Sequence, residues 1–154
     1  MSPMLFVIVA PLAFAAVAFA VPSNRRRPLA LLAGALLHAG GVAALLASPP
    51  HAPPGAWLAL DALGKITLLT TTILFLASAV YAQGYLALRA DRDNRVFVGG
   101  LLGLLGAMTT VALSHHLGLT WVALEASTLA TAPLIYFNHN ARSLEAAWKY
   151  LLIS

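Results

Sequence analysis

The fold is decided by residues 96–137, which read VFVGGLLGLLGAMTTVALSHHLGLTWVALEASTLATAPLIYF. Glu125 is the one residue of this stretch that carries a formal charge at neutral pH, apart from any protonated histidine. A short turn at 114–118 separates two apolar runs of about 20 residues each, the length that crosses the hydrocarbon core of a bilayer. The stretch therefore predicts two transmembrane helices, at 96–114 and 119–137.

The rest of the chain repeats this pattern. Apolar runs lie at 3–21, 29–47 and 63–88, and a further one begins at 144, with Ser143 as its expected N-cap. Hydrophobic residues make up 60% of the chain and charged residues 9%, whereas a soluble domain carries roughly 25% charged residues. The sequence predicts an all-α integral membrane protein with about five transmembrane helices plus the start of a sixth.

Composition also excludes several kinds of site. There is no cysteine, which excludes disulfides, thiolate metal sites and cysteine nucleophiles. No Gly-rich phosphate loop and no C-x-x-C-H haem motif occurs, so we expect no cofactor and no bound metal. The net charge of +4 does not indicate nucleic acid, because the basic residues lie in short loops between apolar runs. The expected surroundings are the lipid bilayer and other membrane subunits.

Lysine and arginine fall almost entirely on one side of the predicted helices. Lys65 lies near the other side, and the first side holds Arg25, Arg26, Arg27, Arg89, Arg92, Arg95, Arg142 and Lys149. The positive-inside rule makes that side cytoplasmic, so we expect a multi-pass protein of the bacterial inner membrane with its N-terminus outside. An A-x-A-like site lies at 18–20, but no positive charge precedes the first apolar run, which favours an uncleaved helix.

Glu125 is the foremost candidate for chemistry, because it lies about eight residues, or roughly 12 Å, inside the fifth predicted helix. A carboxylate in hydrocarbon costs roughly 2.5–3.5 kcal/mol on insertion scales. It must face a polar cavity, pair with a cation or be protonated, and each option suits a proton carrier. Thr128 is placed to hydrogen-bond the carboxyl, and Pro133 frees the Leu129 carbonyl and kinks the helix. The alternative is a structural carboxyl bonded to a neighbouring helix.

Two charged pairs have the spacing of adjacent side chains on a helix. Glu145 and Lys149 can form an ion pair at i, i+4, either as a simple interfacial pair or with Lys149 as a proton-relay partner of Glu125. Asp61 and Lys65 have the same spacing, and we expect them to form a structural pair at the membrane surface.

The histidines give weaker signals. His115 and His116 occupy the short turn between helices four and five, where they could deliver protons, and they lack the acidic or cysteine partners of a convincing metal site. His38 lies inside the second predicted helix, either as a hydrogen-bonded core histidine or with a proton-carrying role.

Several motifs of residues 55–154 occur together. They are Asp61 in LDALGK, the tyrosines and glycine at 81, 84 and 85, the region of Met108, the run from Trp121 to Glu125, and EAAWKY at 145–150. Together they resemble the antiporter-like family, which includes the proton-pumping membrane subunits of complex I, the Mrp-type antiporters and the membrane subunits of group 4 nickel-iron hydrogenases. The stretches ALEASTLATAPLI and SLEAAWKYLLIS are most similar to the hydrogenase-linked, hydrogenase-4 component F-like branch.

The resemblance implies roles for particular residues. In the family a helix-five glutamate pairs with a helix-seven lysine; Glu125 matches the glutamate, and Lys149 matches a lysine at the start of helix six. It also implies two parts, a two-helix segment with its outer loop at 1–55 and the start of the proton-conducting domain at 56–154. Because helix seven is missing from the sequence, we expect a truncated or incompletely sequenced product, or half of a split subunit.

The resemblance further implies a proton-translocating subunit, without a redox centre of its own, in an oxidoreductase complex such as NADH:quinone oxidoreductase or formate hydrogenlyase. Glu125 and Lys149 would relay protons, supported by Thr128, Pro133, Glu145, His115 and His116. One alternative is a non-conducting assembly piece that packs through the glycines of helix four, where bulky residues at Gly103 or Gly106 would disrupt the complex. Another alternative is a component of a Na⁺/H⁺ antiporter.

Overall fold

The structure is a computed structural model that describes residues 2–154, and within them it is a bundle of six α-helices. The helices are α1 (Pro3–Ala20), α2 (Arg27–Ala47), α3 (Ala62–Ala87), α4 (Arg95–Leu113), α5 (Leu117–Ile135) and α6 (Ala141–Ile153), with a 3-10 turn at Tyr136–Asn138. The first five helices, α5 together with its 3-10 extension, are long and apolar enough to cross a membrane. The predicted all-α membrane fold is thereby confirmed.

Local sequence signals explain where the helices begin. Ser2 caps α1 by accepting a hydrogen bond from the Leu5 N–H at 3.3 Å, and Pro3 follows it at the first helical position. The sixth helix starts earlier than predicted. Asn140 is its N-cap and exchanges hydrogen bonds with Ser143 in a capping box, so Ser143 lies inside the first turn and is not the cap.

Helix α4 lies at the centre of the bundle and packs against α1, α3, α5 and α2. Its glycines allow close approach on two sides. A Cβ at Gly106 would lie 2.7 Å from Leu12 of α1, and one at Gly100 would lie 3.1 Å from the Ala130 carbonyl oxygen of α5. These glycines therefore let α4 approach two different neighbours within the bundle, α1 and α5, and packing of the glycines against a partner subunit stays a prediction.

Arg27 holds one end of the bundle together. It is fully buried, and its guanidinium donates hydrogen bonds to the backbone oxygens of Ala18 and Val21 and to the side-chain oxygens of Asn24, Asp93 and Asn94. These bonds join the α1–α2 turn to the α3–α4 loop. We call this the arginine-rich end, defined by Arg25–Arg27, Arg89, Arg92, Arg95 and Arg142.

The opposite end is formed by the α2–α3 loop and the α4–α5 turn. An isolated antiparallel bridge pairs Leu58 with Ser114, and the His115 N–H donates to the Trp57 carbonyl oxygen at 2.9 Å. We call this the histidine end, defined by Trp57, Asp61, His115 and His116. The division of the chain at residue 55 stays a prediction, and α1 packs against α4 across it.

Candidate functional site

Glu125 lies on the uncovered side of α5. Ala123 is the one buried residue of α5. In the most apolar 18 residues of each helix, 6% of the α5 residues are buried, against 44% of the α4 residues. At about 100° per residue, Glu125 points some 160° away from Ala123. Its side chain is exposed, and no side chain within residues 2–154 forms a hydrogen bond or ion pair with its carboxylate.

The helix neighbours of Glu125 leave its carboxylate free. Thr128 does not bond to the carboxyl as expected; its hydroxyl donates to the Leu124 carbonyl oxygen at 3.3 Å. A threonine in a helix can satisfy its hydroxyl on the preceding turn, which explains the difference. Trp121 and Leu129, one turn to either side, are 63% and 65% exposed, so the carboxylate lies in an open, mostly apolar surface.

Pro133 lies inside α5 as predicted. Proline has no N–H, so the Leu129 carbonyl one turn earlier lacks its usual helical partner. The α-helix continues only to Ile135 and then tightens into the 3-10 turn, which ends at His139 in the left-handed conformation with φ of 49°. The end of α5 is therefore irregular, next to the arginine-rich end.

Lys149 and Glu145 form the expected ion pair on α6. The Lys149 Nζ lies 2.5 Å from Glu145 Oε1, and both side chains are well exposed, at 68% and 63%. Helix α6 packs against α5, and its buried residues are Ser143 and Ala147, on another side of the helix. Within the described residues Lys149 and Glu125 make no direct contact, so their participation in one proton pathway stays a prediction.

The histidine end brings together residues that the sequence treated separately. His115 Nε2 lies 3.7 Å from Asp61 Oδ2, and the His116 ring stacks on Trp57 with centroids 4.5 Å apart. Asp61 also caps α3 by accepting the Gly64 N–H at 2.6 Å. These contacts bring a histidine and a carboxylate together at the histidine end of the bundle.

The expected pair between Asp61 and Lys65 is not formed. The described residues contain no ion pair between them, because the Asp61 carboxylate is directed to the Gly64 N–H and towards His115. A residue at the N-cap turns its side chain back over the first turn, which competes with the i, i+4 partner. Among residues 2–154 no group of three or more His, Asp or Glu residues is placed to hold a metal ion.

The hydrogen bonding of His38 was not predicted in detail. His38 and Thr109 are buried between α2 and α4, with His38 Nε2 2.9 Å from Thr109 Oγ1, and the threonine donates onward to the Leu105 carbonyl oxygen. The arrangement satisfies the polar atoms that meet here, which favours the core-histidine alternative. The sequence held a signal for this pair, since both are polar residues in the interior of apolar helices.

The geometry gives α5 a clear chemical capacity. A carboxyl group about 12 Å along a membrane-spanning helix, without a partner among residues 2–154, can take up and release a proton if water or a basic group reaches it. The ion pair on α6 and the His115–Asp61 contact are further groups that can exchange protons. These three groups lie apart in the described structure.

The sequence is similar to those of hydrogenase and NADH-ubiquinone oxidoreductase subunits. The chain is 29% identical over 107 residues to a hydrogenase-4 component F homolog of Methylacidiphilum infernorum, and this alignment covers 66% of the chain and 22% of the relative. It is 49% identical over 49 residues to NADH-ubiquinone oxidoreductase chain 2 of Ornithorhynchus anatinus, covering 32% of the chain and 14% of the relative. The same subunit of Tetraodon nigroviridis is 44% identical over 52 residues.

The chain thus spans about a fifth or less of the length of these relatives. No family model matches it, and no solved structure matches it significantly. The names of these two kinds of relative agree with the family that the sequence motifs resemble. The five helices that are long and apolar enough to cross a membrane agree with it as well. These similarities support the resemblance of the chain to the antiporter-like family of membrane subunits, which includes those of complex I, Mrp-type antiporters and group 4 hydrogenases.

Proposed function

We propose that this chain is part of a proton-translocating membrane subunit of a multi-subunit oxidoreductase, of the NADH:quinone oxidoreductase or membrane-bound hydrogenase kind. The Glu125 carboxyl is the group that takes up and releases the proton. The subunit moves protons, while electron transfer takes place in other subunits. The names of the relatives support the class of complex, and the position of Glu125 supports the role in transport.

The observation that carries the proposal is the unpaired Glu125 on the uncovered face of α5. An ionised carboxylate facing lipid is unfavourable by roughly 2.5–3.5 kcal/mol on insertion scales, so a stable membrane protein does not leave it there without cause. A helix with a basic side chain covers this face and forms an ion pair with Glu125. The ion pair breaks when the carboxyl takes up a proton. That helix belongs to the same subunit or to a partner subunit.

Lys149 is proposed as a second group on the pathway, with Glu145 holding its charge when the proton has moved on. The exposure of both side chains, 68% and 63%, supports a pair that can form and break. His115 and Asp61 are proposed to supply protons at the histidine end. Their exposed fractions of 37% and 54% support access from water.

The proposed location follows from the arginines. The arginine-rich end faces the cytoplasm of a bacterial cell, and the N-terminus and the histidine end face outward. The expected partners are the other membrane subunits of a respiratory or hydrogenase complex, and the uncovered face of α5 provides a surface for them.

Proton uptake into inverted membrane vesicles tests the proposal. With the electron donor supplied, a pH-sensitive dye should be quenched by vesicles of the unchanged protein, and Glu125→Gln should abolish the contribution of this subunit while electron transfer continues. Asp91→Asn is the matched control, because Asp91 is an exposed loop carboxylate and its loss should leave quenching unchanged.

The same variant distinguishes the assembly alternative. If Glu125→Gln leaves quenching intact in a fully assembled complex, the chain is a non-conducting packing piece. Dependence of proton movement on sodium would instead indicate a Na⁺/H⁺ antiporter component.

A further inference from the structure

A groove runs along the outside of the bundle between α3 and α4. It consists of two adjoining cavities of about 300 and 250 Å³, which share Ser78 and Leu101. The cavity nearer the arginine-rich end includes Tyr81, Tyr85 and Asn138 in its lining. The groove therefore starts at that end of the bundle and continues towards the middle of the membrane-spanning helices.

The deep part of the groove is apolar. It is lined mainly by Leu74, Phe75, Leu104 and Met108, together with Thr71. From Tyr85 to Thr71 the groove follows α3 for roughly 21 Å at 1.5 Å per residue. That length exceeds the half-thickness of a bilayer hydrocarbon core, about 15 Å, so the groove can hold an extended acyl chain of one leaflet.

The mouth of the groove is aromatic and basic. The Tyr81 and Tyr85 rings stack with centroids 6.3 Å apart, and Tyr81 is 74% exposed. The Arg89 guanidinium lies 4.9 Å from the centre of the Tyr85 ring, and its Nη1 donates to Asn138 Oδ1 at 2.9 Å. Tyrosine and arginine together are typical of the headgroup level of a membrane.

The Arg89 guanidinium has no carboxylate partner within residues 2–154 and has N–H donors left for a ligand. Within residues 2–154 no carboxylate forms an ion pair with it, since Asp93 pairs with Arg27. A guanidinium has five N–H donors, and Asn138 takes one of them. Beside the mouth, a further cavity of about 350 Å³ includes Arg92 and Asp93 in its lining, and within residues 2–154 the ion pair of Asp93 is with Arg27. The positive charge that lies directly at the mouth of the groove is therefore that of Arg89, which contacts Tyr85 and Asn138 of its lining, while Arg92 lines the neighbouring cavity.

We propose that this groove is a binding site for an anionic phospholipid. The phosphate of the headgroup accepts hydrogen bonds from Arg89, the Tyr85 and Tyr81 rings lie at the glycerol level, and one acyl chain fills the groove down to Met108. A lipid fits better than a protein helix, because the requirement is for an anion at the mouth joined to a flexible apolar chain in a narrow groove. This site is separate from Glu125 and does not depend on its role.

Photolabelling tests the site in the protein purified from its own membrane. We would reconstitute it in phosphatidylcholine vesicles with a trace of phosphatidylglycerol that carries a photoreactive group in the acyl chain. Labelled peptides should come from α3 and α4, around Ser78 and Leu101. Photoreactive phosphatidylcholine with the same chains should label them about 5-fold less, since one arginine near a membrane surface favours an anionic lipid by about that factor.

Two pairs of variants sharpen the result. Arg89→Gln should reduce labelling by phosphatidylglycerol to the phosphatidylcholine level, whereas Arg142→Gln, an exposed arginine at the same end, should not. Ser78→Phe should block the groove for both lipids, whereas Ala77→Phe, on the exposed side of α3 and outside the groove lining, should leave labelling unchanged.

Three outcomes would overturn the proposal. Equal labelling by the two lipids, or no effect of Arg89→Gln, would show that the arginine does not select the headgroup. Competition by inorganic phosphate as strong as that by unlabelled phosphatidylglycerol would indicate a free-anion site. Absence of labelling by either lipid, together with crosslinking of the Ser78→Cys variant to another helix, would assign the groove to a protein partner.

Discussion

Glu125 and Ala123 lie on opposite sides of α5, and this relationship defines what the helix can do. Ala123 is buried against the bundle, while the Glu125 carboxylate faces away from it without a partner among residues 2–154. The packing of α5 on α4 through small residues, including Ala130 against Gly103, holds the helix in this orientation. The fold therefore presents the carboxyl to whatever covers α5.

Arg27 should be the most sensitive residue for assembly of the first four helices. Arg27→Ala removes a fully buried cation and leaves its acceptors unpaired, so we expect a loss of about 3–5 kcal/mol in stability. Thermal unfolding in detergent and the amount of protein in the membrane would measure the loss. Asp93→Asn should cost less than about 1 kcal/mol, because Asp93 is 65% exposed. Equal effects of the two changes would contradict the buried network.

His38 and Thr109 should behave as a coupled pair in a double-mutant cycle. Thr109→Val leaves the His38 ring nitrogen unpaired and should cost about 1–3 kcal/mol, whereas the double change His38→Leu with Thr109→Val should cost less than the sum of the single changes. Thr110→Val is the control, since the Thr110 hydroxyl bonds only to the Gly106 carbonyl in its own helix. Additive losses would mean that the 2.9 Å contact contributes nothing.

Lys149 should affect transport more than stability. Lys149→Met removes an exposed i, i+4 pair, which contributes about 0.3–0.5 kcal/mol, so the unfolding temperature should change little. The proposed relay predicts that proton movement nevertheless slows, while Arg142→Met has no effect. The contact would be a structural ion pair alone if proton movement were unchanged in Lys149→Met.

The orientation can be measured with single cysteines, since the chain has none of its own. His51→Cys places a thiol in the exposed α2–α3 loop, and Asp91→Cys places one in the exposed α3–α4 loop at the arginine-rich end. We expect a membrane-impermeant maleimide added to intact spheroplasts to label the first variant, and the second only after the membrane is opened. The reverse pattern would place the N-terminus in the cytoplasm.

Apolar length and loop charge were sufficient to predict the five spanning helices to within a few residues, because both act locally along the chain. The predicted start of α6 was wrong, because Asn140 and Ser143 can both cap a helix. The backbone conformation of the preceding turn decides between them, and the sequence does not show it. The predicted ion pair between Asp61 and Lys65 was wrong for a similar reason. The Asp61 carboxylate caps α3 by accepting the Gly64 N–H, and this competes with pairing to Lys65. Two acceptors of the Arg27 side chain, Asp93 and Asn94, lie 66 and 67 residues away along the chain, and periodicity does not reveal such contacts.

The most direct test of the account is the number of protons translocated per electron pair by the intact complex. Glu125→Gln should lower this number by the full share of the subunit, while the rate of electron transfer without a proton gradient and the assembly of the complex are preserved. Glu125→Asp, which retains a carboxyl at the same place on α5, should restore part of it. An unchanged proton number in Glu125→Gln, with the complex fully assembled, would contradict the claim that Glu125 carries the proton.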